Sequence, residues 1–142
     1  MRSTPHAAEL RKTSGMSLIE LIIVVAVVAM LGTIAFPTYT NFQQKARRAD
    51  AKITLEEIAA KQEGFYITNH RYTSNLAQLG LGGNLSDAGH YVINVLADDQ
   101  GYTLVAAPAP GSPQANDDEC QQFSINNLAV RAALPDSSGN CW

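Results

Sequence analysis

The sequence predicts an α+β fold, with one long N-terminal helix packed on an antiparallel sheet of about four strands. Three observations carry that prediction. A long apolar run lies in the N-terminal third, a stripe of helical period follows it, and short β-rich segments between turn residues occupy the C-terminal half. At 142 residues the chain has room for one such domain. Its apolar content of 46% is unevenly spread, which a mean hydropathy of -0.07 conceals.

The apolar run comes first. Met16 through Phe36 is about 21 residues, enough to cross a bilayer as a helix. Arg11 and Lys12 precede it and place residues 1–15 on the cytoplasmic side. Glu20 lies inside the run, where an ionised side chain costs about 2.5–3.5 kcal/mol, so it demands a partner. A secretory signal would need a small-x-small cleavage site after its apolar core. Thr33-Ile34-Ala35 is a poor one, and Glu20 argues against that reading. A plain anchor would leave Gly15 and Glu20 without a role.

Gly32 and Pro37 interrupt the helix, and the proline, which removes a backbone bond, predicts a kink. Beyond it, Ala51, Leu55, Ile58, Ala59, Gln62, Phe65 and Tyr66 recur at three- and four-residue spacing. Glu57 and Lys61 form an i,i+4 pair, and Gly64 is the expected C-terminal stop. Residues 65–90 read as a connecting loop, with the glycines at 80, 82 and 83 making turns rather than a phosphate cradle. Strands are expected at Tyr91 to Leu96 and Tyr102 to Ala107, joined by a hairpin turn through Asp98-Asp99-Gln100-Gly101. Two shorter strands, Phe123 to Ile125 and Ala129 to Ala133, are expected around Asn126-Asn127.

Lys45, Arg47, Arg48 and Lys52 form a basic cluster in mid-helix. It reads as a solvated face, as a partner for the Asp117-Asp118-Glu119 stretch of another copy, or as a contact with the membrane surface. The formal charge is -3, and without residues 1–15 it falls to -5, because three cations and one anion leave together. An acidic chain with scattered Lys and Arg gives no footprint for nucleic acid. Cys120 and Cys141 read as a disulfide formed in an oxidising compartment, the alternative being two free buried thiols. His70 and His90 lack metal-ligand spacing, and no nucleophile or phosphate-loop pattern occurs. Neither a metal, nor a cofactor, nor an enzymatic activity is expected.

Gly15 followed by Met16-Ser17-Leu18-Ile19-Glu20-Leu21 resembles the prepilin processing site of the type IV pilin superfamily. Gln62-Glu63-Gly64-Phe65-Tyr66, Arg71-Tyr72-Thr73, Tyr102-Thr103-Leu104 and Cys141-Trp142 resemble its minor-pilin branch, often called PilE-type. The resemblance implies a leader over 1–15, cut between Gly15 and Met16 by a prepilin peptidase that also N-methylates Met16. It implies a transmembrane and assembly segment over 16–37, and a periplasmic head over 38–142 that includes the second half of the helix. Glu20 would meet the new amino terminus of a neighbouring subunit, and Pro37 matches a position where the family's helix kinks. The first mature residue departs from the family's usual phenylalanine, and the leader is longer than the shortest ones. The implied function is that of a minor pilin, a structural subunit of a type IV pilus, with other pilin subunits and the inner-membrane assembly machinery as partners. Its expected home is the bacterial inner membrane and then the pilus, with a major pilin or a type II secretion pseudopilin as close rivals. A membrane-anchored periplasmic binding module is the rival of another class.

Overall fold

In the computed structural model, residues 15–136 and 139–142 are described, with the backbone alone at 36–38. The expected leader, apart from Gly15, lies outside the described residues; at Pro37, the expected kink, the backbone is helical. Two compact units meet at Thr38 and Tyr39. The first contains the apolar start of helix α1 (Leu18–Asn69), and the second the rest of α1 with the sheet.

Among the described residues of the first unit the large apolar side chains are exposed, from Leu18 at 76% to Ile34 at 71%. Polar groups here are satisfied within the helix: the Thr33 hydroxyl donates to the Met30 carbonyl at 2.7 Å. That is how a helix meets a medium without hydrogen-bonding capacity.

The second unit is built on the stripe the sequence displays. Ala51, Leu55 and Ile58 are buried against β1 (Tyr91–Ala97), β2 (Tyr102–Pro108), β3 (Gln122–Asn126) and β4 (Arg131–Leu134). The strands pair antiparallel in chain order, with Ile93 opposite Ala106, Leu104 opposite Ile125, and Phe123 opposite Ala133. Those six residues point at α1 and, with Tyr91, form the core. Asp98 shapes the β1–β2 turn by accepting bonds from the backbone N–H groups of Gln100 and Gly101.

Several boundaries differ from expectation. Gly64 does not stop α1, which runs five residues further to Asn69. Phe65, packed against the core, holds the chain helical there, and such packing outweighs the roughly 1 kcal/mol cost of a helical glycine. The helix ends instead at His70, whose φ of 54° is left-handed, while the Asn69 side chain caps the Phe65 carbonyl. The segment expected to be all loop therefore begins in helix, and it also contains a short 3-10 helix, Leu76–Leu79. The fourth strand starts two residues later than expected, because Ala129 takes φ 56° in the turn before it.

Polar side chains of α1 fix the connection to β1. Gln62, fully buried, donates to the Thr73 carbonyl at 2.6 Å and accepts from the Thr73 N–H at 3.1 Å. Asp50 accepts from the Ser86 hydroxyl at 2.6 Å and the Ala88 N–H at 3.1 Å. A disulfide joins Cys120, just ahead of β3, to Cys141, and both residues are wholly buried. Trp142 beside it stacks edge-on against Phe123 and donates from its indole to the Ala132 carbonyl.

Candidate functional site

Gly15 and Met16 lie just ahead of α1, and Glu20 stands in its first turn. All three are exposed. The Ser17 carbonyl accepts the first helical bond, from the Leu21 N–H at 3.1 Å, which makes Ser17 the N-cap. Glu20 then stands at the third helical position and accepts a long bond from the Ser17 N–H, 3.5 Å to Oε2. This is half of a capping box, encoded by the Ser-x-x-Glu spacing of Ser17 and Glu20. The positive end of the helix dipole also favours a carboxylate in this turn.

Glu20 is therefore tethered to its own helix start, but loosely. Only one of its oxygens receives a bond from a described residue, and that bond is at the limit of hydrogen-bond length. No carboxylate or cation follows within the helix until Lys45. The most apolar eighteen-residue window of α1 has mean hydropathy 2.7 with none of it buried in the protein, so α1 is long and apolar enough to cross a membrane. Gly15 and Gly32 have nothing within 4 Å of a notional Cβ, so neither glycine is forced by packing inside this chain.

The mid-helix basic cluster divides. Arg48 is buried and bidentate to Asp117, Nε to Oδ2 and Nη2 to Oδ1, both at 2.6 Å. A third bond runs from Nη2 to Glu119 at 3.1 Å. The Asp117 carboxylate also accepts the backbone N–H groups of Glu119 and Cys120. Burial pushes its pKa up, but the Arg48 bonds, the backbone N–H groups and the guanidinium charge together hold it below the usual carboxylate value. Arg48 in turn is held above its ordinary value, chiefly by the bond to Asp117 and against its own desolvation.

The acidic stretch that the sequence offered to another copy is thus engaged within the chain. Asp117 is a buried anchor for α1 within its own chain. The 69-residue separation hid the pair. Among the described residues no carboxylate lies within ion-pair distance of Lys45, Arg47 or Lys52. Lys52 lies 5.8 Å over the Phe123 ring, and its pKa is lowered by desolvation and by the charge of Arg48.

Comparison with known proteins bears on both regions. The family described as "Type IV minor pilin ComP, DNA uptake sequence receptor" matches residues 37–124. The prokaryotic N-terminal methylation motif matches residues 10–36. The type IV major pilin protein PilA of Myxococcus xanthus is 28% identical over 82% of this chain, which spans about half (54%) of that relative. The type IV wide pilus major component PilA4 of Thermus thermophilus is 29% identical over 90% of this chain and 98% of its own length. A type IV pilin structure from Shewanella oneidensis superposes with a TM-score of 0.50 at 27% identity, covering 70% of this chain and 97% of that one. The Neisseria meningitidis minor pilin PilV, at 20% identity and a TM-score of 0.50, shares the fold and covers 65% of this chain and 87% of its own.

Proposed function

Because the chain belongs to the type IV pilins, in the family described as type IV minor pilin ComP, we propose that it is a minor subunit of a type IV pilus. In this reading a prepilin peptidase cuts between Gly15 and Met16 and methylates the new amine. The subunit then waits in the inner membrane with its head in the periplasm until the assembly machinery draws it into a filament.

One observation carries the reading: an apolar half-helix with exposed side chains that starts three residues after a glycine and contains a single, loosely held carboxylate. A helix shielded by no part of its own protein needs lipid or neighbouring helices around it. Cleavage before Met16 places an ammonium group one residue from the Ser17 N–H that Glu20 already reaches. The same carboxylate is then within reach of its own amine or of a neighbour's, and pairing with the neighbour couples charge neutralisation to docking. Gly32 and Pro37 supply the place where the helix can give during that transfer.

Glu20→Ala separates the steps. The variant is expected to be cleaved and methylated normally, yet to be absent from sheared filaments. Normal incorporation would end the assembly role of Glu20, and a mature chain that begins anywhere but Met16 by mass spectrometry would end the pilin-processing reading. Minor status predicts a trace band beside a more abundant filament protein in sheared filaments, and a dominant band would overturn it.

A second reading, reception of DNA, rests on the family description. One feature favours it: the exposed Lys45 and half-buried Arg47 and Lys52, which no described carboxylate neutralises. After α1 the sequence carries only two Lys or Arg residues, Arg71 and Arg131, and Arg131 bonds Glu56 at 2.8 Å. Phosphate contacts would thus have to centre on the helix. Duplex DNA should then bind with a salt slope of roughly two to three counterions, and Lys45→Ala with Arg47→Ala should remove the binding.

A further inference from the structure

Between Phe36 and Asp50 the sequence holds cations and aromatic rings but no carboxylate. Tyr39 and Phe42, three and six residues past Phe36, are 62% and 69% exposed. Arg47 follows eight residues after Tyr39, half-buried, and pairs with no carboxylate among the described residues. A cavity of about 240 Å³ opens here, lined in part by Tyr39, Gln43, Gln44 and Arg47 of α1 and by Pro113 and Asn116. No acidic residue borders it, whereas Asp118 and Glu119 border the next cavity, beside Lys45.

The polar groups of the Arg47 cavity are arranged to donate. Gln43 donates from Nε2 to the Tyr39 phenol oxygen at 2.9 Å, so the phenol proton is left to donate onward. The same bond leaves the Gln43 Oε1 to accept. Gln44 donates from Nε2 to the Asn116 carbonyl at 3.2 Å and ties α1 to the 3-10 helix Pro113–Asn116. The Arg47 guanidinium adds a planar fork of N–H groups, the geometry that suits a phosphate.

We propose that this cavity binds the phosphate of an anionic phospholipid while the subunit waits in the inner membrane. The inference rests on the membrane reading given above, and that reading selects the lipid. Once Met16–Phe36 crosses the bilayer, Tyr39 and Phe42 follow within six residues, where aromatic side chains settle among headgroups. Helical side chains lean toward the N-terminus of their helix, so Arg47 reaches back toward the same surface. Its fork and the Tyr39 phenol donate to the two free oxygens of a phosphodiester, and Gln43 Oε1 accepts from a headgroup hydroxyl. A zwitterionic lipid would bring an ammonium group beside Arg47, with no carboxylate in the cavity to receive it. Duplex DNA fits less well. Lys45 and Arg47 stand about 200° apart around the helix, so a rod meets one of them at a time. A headgroup layer surrounds the helix and takes both.

The test uses the full-length processed chain, reconstituted into phosphatidylcholine vesicles with or without phosphatidylglycerol. Flotation reports insertion, and native mass spectrometry after re-extraction reports which lipid stays bound. Phosphatidylglycerol is expected at about tenfold above its share of the vesicle. Arg47→Gln should lower that enrichment about tenfold, to the vesicle's own ratio, and Tyr39→Phe should lower it about threefold. Arg71→Gln, which removes the same charge from the loop after α1, should leave it unchanged. Variants are compared at equal flotation, which keeps lost insertion apart from lost lipid choice. No enrichment in wild type, or an equal loss in Arg71→Gln, overturns the proposal. Displacement of the lipid by excess glycerol phosphate or duplex DNA also overturns it, and reassigns the cavity to that soluble anion. A wild-type chain that floats with no vesicle ends the membrane reading and this proposal together, whereas flotation without enrichment ends this proposal alone.

Discussion

Removing the Asp117 carboxylate tests how the head is held to its helix. In Asp117→Ala, Arg48 loses both bonds of 2.6 Å and keeps the contact to Glu119 at 3.1 Å. The backbone N–H groups of Glu119 and Cys120 lose their acceptor as well. Breaking a buried pair by deleting one partner costs about 3–5 kcal/mol, because the remaining charge is stranded. Glu119 is half exposed and still reaches the guanidinium, which places the loss near the lower end, about 3 kcal/mol. With a urea dependence of about 1–2 kcal/mol per molar, the midpoint should fall by roughly 1.5–3 M. Trp142, the only tryptophan, packs on Phe123 and reports the transition by fluorescence in detergent-held protein. Asp117→Asn keeps an acceptor for the two N–H groups and should cost less than the alanine. The contribution also carries a pH signature. The folded pKa lies below the ordinary 3.8, so the stabilisation is complete above that value and disappears as pH falls further. The difference between wild type and Asp117→Ala should therefore shrink below about pH 4. A midpoint shift under 0.5 M (roughly) at neutral pH would refute the reasoning, as would an undiminished difference in acid.

Reducing the Cys120–Cys141 bond, or replacing both cysteines by serine, opens a loop closed over 21 residues. In the chain-entropy account this costs about 3 kcal/mol, visible as a lower thermal midpoint in the presence of reductant. Gln62→Leu removes both bonds to the Thr73 backbone and leaves a buried N–H and C=O without partners. A loss of about 2–4 kcal/mol is expected, with faster amide exchange confined to residues 70–80 before global unfolding. Tyr102 has its pKa pushed up to about 12 by burial first and then by Glu63. Its stabilisation is complete below pH 10, the ordinary value, and is lost as pH rises toward 12, which absorbance titration of the phenol against unfolding should reveal. Tyr102→Phe should remove that alkaline limb.

Much of the fold was legible because local pattern and tertiary role coincide. The stripe Ala51, Leu55 and Ile58 is the helix face that enters the core, and alternation in Tyr91 and Ile93 is the sheet face that meets it. The hairpin at Asp98 was legible from turn chemistry alone. Gly64 misled because its helix-breaking tendency is small beside the packing of Phe65. Asp117 misled because nothing in its neighbourhood distinguishes a turn acid from one aimed at an arginine 69 residues away. Ser17 and Glu20 show the reverse: their three-residue spacing is a short-range capping signal, and it sits inside a run whose apolar character is the stronger pattern.

The sequence by itself determined the two halves of the molecule. An unbroken apolar run and an amphipathic stripe of helical period need no partner to be recognised, because backbone geometry alone fixes which residues share a face. Tertiary structure decided which polar groups are spent inside the chain and which remain for others. Arg48, Asp117 and Gln62 are committed internally, whereas Glu20 and Lys45 stay exposed. Such choices depend on which distant residues folding brings within about 3 Å, and a hydrogen bond or ion pair acts only at that range.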